Sequence, residues 1–294
     1  MSVDTNLSGP TDAAVQGPLE GTTRVAPAGR GRWLSSWGPP LLVFVAMLGL
    51  WYAVSYVLLD ADRRFLVPPP HEVFKVSFLD PYNLRELLDA LWLSTRVAFT
   101  GLGAAIVAGL LLAVAMSQAR WIERSLYPYA LLTETVPVLA CVPLFGLWFG
   151  YGFASRTLVV VIFCIFPIIA NTLFGLQSVQ REHHDLFTLH GAGRTTRLWK
   201  LQFPAALPAI FTGLRISAGL AVIGAIVGDF FFKQGDPGIG ILIDRYQSRL
   251  LSERMIAAII LSSLLGIVVF WSFGFLARRV VGSWHESAGG TGPP

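Results

Sequence analysis

The sequence predicts an all-α, polytopic membrane protein with six transmembrane helices, and three observations carry that prediction. Of 294 residues, 54% are hydrophobic and 14% charged, with a mean hydropathy of +0.60, too apolar for an ordinary soluble domain. Six stretches approach the ~20 apolar residues that cross a hydrocarbon core: residues 40–59, 91–117, 127–150, 156–178, 205–232 and 255–277. The basic residues behind the net charge of +4 are scattered among short loops. That pattern fits juxtamembrane anchoring and gives no stripe or patch for nucleic acid.

Residues 1–37 are rich in Gly, Pro, Ser, Thr and Ala, a composition that cannot offset the entropy of ordering and predicts a flexible tail. The first apolar run begins at Leu41 and is long enough to span, so no cleavable signal is expected. After it, Phe65 to Pro70 ends in three prolines that predict an extended segment, followed by an amphipathic stretch to about Leu91. The second span carries Arg96. The third carries Pro137 and Pro143, with Glu134 three residues before Pro137, and the fourth carries Pro167 with Asn171 one turn on. Prolines are tolerated in membrane helices where neighbours satisfy the freed carbonyls, and kinks are expected there. Cys141 and Cys164 lie in apolar runs without partners at ligand spacing, so they read as small buried hydrophobes with no metal or disulfide framework.

In the fifth span Gly213, Ser217, Ala221 and Ala225 recur every four residues, with Gly224 and Gly228 beside them. Such a bare face lets helix backbones approach closely, either inside one chain or across a dimer. The loop from Lys233 to Arg254 opens on the turn-forming run Gly235-Asp236-Pro237-Gly238 and gives way to Ile241-Leu242-Ile243. A permease domain over 38–280 and a second flexible tail over 281–294 complete the expected organisation. An even number of spans puts both termini on one side. Eleven Lys or Arg residues then fall on that side and nine on the other, a small excess that predicts a cytoplasmic N-terminus.

Between the fourth and fifth spans, Leu186, Phe187 and Leu189 alternate with Asp185, Thr188 and His190, a short helix with an apolar side. Asp185 suits its N-terminus, where a carboxylate caps free amides and complements the dipole. Gly191 and Gly193 permit a sharp turn. Arg194, Arg197 and Lys200 follow on one side of a second helix, and Pro204 and Pro208 punctuate the return to the membrane. The product is a knob able to seat in a groove.

This loop resembles the cytoplasmic signature of the permease subunits of binding-protein-dependent ATP-binding-cassette importers. That signature reads Glu-Ala-Ala, three residues, Gly, nine residues, Ile, one residue, Leu-Pro. Asp185 stands in the place of the Glu, Gly191 falls on the Gly, and Leu201-Gln202-Phe203-Pro204 matches the close. Leu186 and Phe187 replace the two alanines. The resemblance runs over roughly residues 40–280, including Thr135-Val136-Pro137 to Pro143-Leu144 and Gly213-Leu214-Arg215 through Gly238-Ile239-Gly240. It is nearest the branch handling nitrate, sulfonates, taurine and pyrimidine precursors of thiamine.

The resemblance implies a type I importer permease fold in a bacterial inner membrane, without cofactor or metal. Expected partners are a second permease copy or close paralogue, cytoplasmic ATPase subunits and an extracytoplasmic solute-binding protein. The ATPase-coupling residues are then Asp185, Leu186, Phe187, Gly191, Arg194, Arg197, Leu201 and Pro204. No phosphate-binding loop is present: Gly191-Ala192-Gly193-Arg194-Thr195-Thr196 lacks the lysine and the preceding strand, so ATP hydrolysis is expected in a separate subunit.

Ionisable groups inside spans default to functional hypotheses. Glu134, Pro137, Asn171 and Asp229 are the candidates for the translocation path or its gate, with a structural ion pair as the other reading of Glu134. Asp229 matches an acidic position of the family. Arg96 and Arg215 lie near span ends, where long side chains reach head groups. The alternative function is an ion-gradient-driven secondary transporter, a class usually marked by inverted repeats, which this sequence does not display.

Overall fold

Residues 31–233 and 235–281 are described in a computed structural model of the chain, and all regular structure among them is helical. The tails expected at either end fall largely outside these residues. One body runs to Gly49 and a second from Leu50. The first holds most of α1 (Gly31–Ala53), where Leu41, Leu42, Phe44 and Met47 are exposed, as on a helix apolar all round.

The second body opens with a π-helical turn, Val54–Leu58, and a 3-10 turn, Ala61–Leu66. Phe65 to Pro70 is thus extended only near Pro69 (φ −66°, ψ 150°). Pro70 instead starts α2 (Pro70–Phe78), where a missing N–H costs nothing. α3 (Pro81–Gln118) begins ten residues before the expected span. Asp80 explains the early start: its carboxylate accepts from the Tyr82 amide at 2.9 Å and from Asn83 Nδ2 at 3.0 Å, with Pro81 in the first helical position.

The third span is broken outright. α4 (Arg120–Thr135) and α5 (Val138–Phe149) meet at 99°. Pro137 disfavours the helical conformation of the residue before it, and Val136 is accordingly extended (φ −65°, ψ 128°). α6 (Phe153–Gln177) keeps Pro167 inside it. The chain then runs through α7 (Arg181–Leu189), α8 (Arg194–Arg197), a π-helical turn Leu198–Gln202 and α9 (Phe203–Phe231). α10 (Ile239–Ser248) fills the expected connector, and α11 (Ser252–Val281) closes the bundle. Five helices are long and apolar enough to span, or six spans if α4 and α5 count as one.

α3, α6 and α9 form the main core around Val97, Leu102, Val160, Ile168 and Ala218. Lipid gives helices no hydrophobic reason to associate, so close packing has to hold them. The small face of α9 does this within the chain: a Cβ on Gly224 would sit 3.1 Å from Val160 Cα, and one on Gly228 3.4 Å from Arg156 Cα. Beside them Ser217 Oγ donates to the Cys164 carbonyl at 2.8 Å, and Cys164 Sγ returns a bond to the Ser217 carbonyl at 3.2 Å.

A second core joins α2, α3, α10 and α11 through Val73, Leu87, Ile239, Leu242, Tyr246 and Ala257. Tyr246 Oη donates to Glu86 Oε2 at 2.9 Å and Arg245 pairs with Oε1 at 3.2 Å. Burial, then the bond to Glu86, push the Tyr246 pKa up, so the phenol remains a donor.

Candidate functional site

Three groupings of the predicted residues stand out, two of them at opposite ends of α9.

At the first end is the knob. α7 begins at Arg181 with Glu182 in its first turn, so Asp185 lies mid-helix and exposed rather than at the N-terminus. The helix closes in a Schellman motif: the Gly191 amide donates to Thr188 O at 2.9 Å and the Ala192 amide to Phe187 O at 2.9 Å. That motif needs a left-handed residue, and Gly191 has φ +65°. Arg197 Nε donates to Ala192 O at 3.2 Å and Gln202 Nε2 to Leu176 O at 3.4 Å, while Leu198 is buried in the main core. The knob is thus fastened to the bundle from beneath.

Its outer side presents Leu186, Leu189 (85% exposed) and Trp199 between exposed Arg194 and Lys200, with Phe187, Arg197 and Leu201 half-buried. Pro204 does not punctuate the chain. The Phe203 amide reaches back five residues to Leu198 O, and this π turn carries the helical ladder past the missing Pro204 N–H.

The second grouping is the α4–α5 break. Glu134 occupies the last turn of α4, exposed, with no ion pair or hydrogen bond among the described residues. The threonines flanking it turn to their own backbone: Thr133 Oγ1 donates to Ala130 O at 2.7 Å and Thr135 Oγ1 to Leu132 O at 3.3 Å. Pro137 is exposed beside it. Asn171 lies apart from this pair. Its amide donates to Pro167 O at 2.8 Å, and it packs where α6 meets Gly213, on which a Cβ would stand 2.9 Å from Asn171 Cβ.

At the far end of α9, Asp229 is fully buried. Arg156 Nη1 pairs with its Oδ1 at 3.1 Å, Ser94 Oγ donates to its Oδ2, and the Gly240 amide bonds the same carboxylate. The Ile239 amide donates to Ser94 Oγ at 2.8 Å. Arg156 also caps the chain leaving α9, donating to Phe232 O at 3.3 Å and Asp236 O at 3.0 Å. The start of α10 lies so close that a Cβ on Gly240 would stand 2.2 Å from Ile226 O and 2.7 Å from Phe230 N. Backbone cannot yield cheaply, so Gly240→Ala is expected to lower stability by about 2–4 kcal/mol, read as a fall in thermal unfolding temperature in detergent.

Arg156 stands at the very start of the predicted fourth span, and Ser94 has no sequence signal of its own. The recoverable clue was Asp229 itself, since a carboxylate buried in a span requires a cation. Arg215 stacks on the Phe270 ring at 4.1 Å and Arg96 lies over Phe153 at 5.8 Å, so each has an aromatic partner on a neighbouring helix.

Residues 105–282 match the family described as "binding-protein-dependent transport system inner membrane component". The formylaminopyrimidine transport permease protein ThiX of Halalkalibacterium halodurans is 34% identical over 233 residues, 79% of this chain and 90% of that protein. The riboflavin transport system permease protein RibX of Chloroflexus aurantiacus is 33% identical over 168 residues, 57% of this chain and 62% of that one. The taurine transport system permease protein TauC of Escherichia coli is 28% identical over 244 residues, 81% and 86% of the two chains. With its broken third span, its multi-pass helical bundle and the matched domain, the chain belongs to the inner-membrane permease family of binding-protein-dependent ATP-binding-cassette importers, whose permease subunits are not themselves enzymes.

Proposed function

We infer that this permease imports a small heteroaromatic solute, neutral or cationic, and that the knob seats in a cytoplasmic ATPase while a solute-binding protein delivers cargo at the α10 end. A second permease, identical or closely related, completes the path. The observation carrying the solute class is Glu134. It is an unpaired carboxylate on the last turn of α4, where the negative end of the helix dipole adds to its charge. Half-helix C-termini in broken spans serve cations in membrane transporters, and an anion would be repelled there. The pyrimidine and riboflavin systems of two relatives fit this class by name, while that of taurine does not.

ATP-dependent uptake into proteoliposomes holding the permease, its ATPase and its binding protein tests the reading. Labelled formylaminopyrimidine should be taken up in preference to taurine or nitrate. Glu134→Gln should preserve uptake within a few-fold for a neutral solute, and Glu134→Lys should lower it about tenfold or more for a cationic one. Faster uptake of nitrate or taurine by the unaltered protein would overturn the solute class. Uptake that persists without ATP and collapses with the ion gradient would overturn the coupling.

A further inference from the structure

A cavity of about 390 Å³ opens at the start of α4, lined by Arg120, Glu123, Arg124, Tyr127 and Pro128. Arg120 and Arg124 stand one turn apart, both exposed, and neither forms an ion pair with the described residues. The cavity's one carboxylate is engaged: Glu123 Oε2 accepts from Gln177 Nε2 at 3.0 Å, across on α6. Tyr127 forms a wall and is held by Phe166, with ring centroids 6.3 Å apart. The result is a cationic recess with two guanidinium forks, the geometry that grips phosphate oxygens.

Its depth in the membrane follows from its neighbours. α3, a span, ends at Gln118, two residues before the recess begins. Trp121 and Tyr129 are exposed beside it, and Leu131 and Leu132 are exposed one turn further along α4. Indole and phenol rings at the rim with aliphatic side chains beyond are the profile of a membrane–water interface. The end of the bundle is also fixed. Gln177 is the last residue of α6 before the knob, and Ser117 and Gln118 share a second cavity with His184, Arg194, Arg197 and Gln202.

We propose that this recess binds the phosphate headgroup of an anionic phospholipid, whose acyl chains run along the apolar side of α4, at the knob's end of the bundle. Phosphate chemistry alone would admit a free anion as well. The aromatic rim and the adjoining Leu131 and Leu132 favour a ligand with a tail, because a soluble anion gains nothing from them. Basic recesses of this kind beside helix ends are established sites of lipid recognition. The proposal is independent of which solute is carried.

Short-chain phosphatidylglycerol and phosphatidylcholine titrated onto the full-length, delipidated protein in neutral detergent, read by native mass spectrometry, test it. The unaltered protein should prefer phosphatidylglycerol, and inorganic phosphate should not compete at equal concentration. Arg124→Gln should weaken phosphatidylglycerol binding about fivefold, and the double variant Arg120→Gln/Arg124→Gln on the order of 25-fold. Arg120→Lys/Arg124→Lys keeps the charge and should retain most of the binding. If the double glutamine variant fails to fold, Arg124→Gln and the lysine pair still decide the matter. Phosphate competing as well as lipid would make the recess a free-anion site and overturn the proposal. So would an equal loss of binding in Arg278→Gln/Arg279→Gln, a basic pair in the last turn of α11 that does not line the recess, or unchanged lipid preference without Arg124.

Discussion

Asp229→Ala is expected to destabilise the protein by about 3–5 kcal/mol, the cost of removing one member of a buried ion pair. The Arg156 side chain is 3% exposed and the Asp229 side chain 0%. Removing the carboxylate takes from the Arg156 guanidinium its bond to Oδ1, and it also leaves the Ser94 hydroxyl and the Gly240 amide without their acceptor. Asp229→Asn keeps the shape and one acceptor but loses the charge, so its cost should be nearer about 1.5–3 kcal/mol. Replacing both members, as Arg156→Leu/Asp229→Leu, removes the buried cation as well as the anion and should recover part of the loss. Recovery cannot be complete, because Arg156 also caps the Phe232 and Asp236 carbonyls. Thermal unfolding in detergent measures all three. Asp229→Ala falling within about 0.5 kcal/mol of the unaltered protein, the usual effect of a surface change, would show that the pair carries no stability.

Gly191→Val should produce the opposite profile, with little effect on the fold and a large one on transport. A non-glycine residue in the left-handed region costs about 1–2 kcal/mol, and β-branching puts valine at the upper end. No heavy atom lies within 4 Å of a Cβ built there, so the strain is confined to the backbone. The chain relieves it by opening the Schellman motif, which loosens the turn that sets α7 against α8. A shift of unfolding temperature of about 2–4 °C per kcal/mol is expected for a chain of this size. ATP-coupled uptake should fall at least tenfold as the knob loses its shape, and Gly191→Asn should be milder because asparagine tolerates this conformation. Unchanged uptake in the valine variant would remove the knob from the ATPase interface.

The spans were legible because membrane insertion demands long apolar runs, and those runs survive any packing arrangement. The predicted fourth, fifth and sixth spans agree with α6, α9 and α11 to within about four residues at each end. What the sequence concealed depended on contacts between distant segments. α3 starts early because Asp80 caps it, a local signal lying beyond the apolar run that marked the span. Pro137 predicted a kink, but only a second proline-compatible helix after it turns the kink into a 99° break. Asp185 precedes the apolar residues Leu186, Phe187 and Leu189 and so reads as a cap, whereas the helix begins a turn earlier at Arg181 and Glu182. The Ser94–Asp229–Arg156 grouping joins three helices separated by more than seventy residues in each pairing but one, and no periodicity within a segment records such a meeting.

The π turn at Leu198–Gln202 has a mechanical consequence. Because the ladder is not interrupted, Arg194 to Phe231 is one helical run of 38 residues, ~57 Å long at the usual rise per residue. One tip carries the exposed arginine of the knob, and the other carries the carboxylate clamped to α10. A tilt of such a rod about its middle moves the two tips in opposite directions by similar amounts, so the knob and the carboxylate end are mechanically linked. The π turn is a joint along the way, where the ladder is registered one residue wide and torsion can be taken up before it travels further.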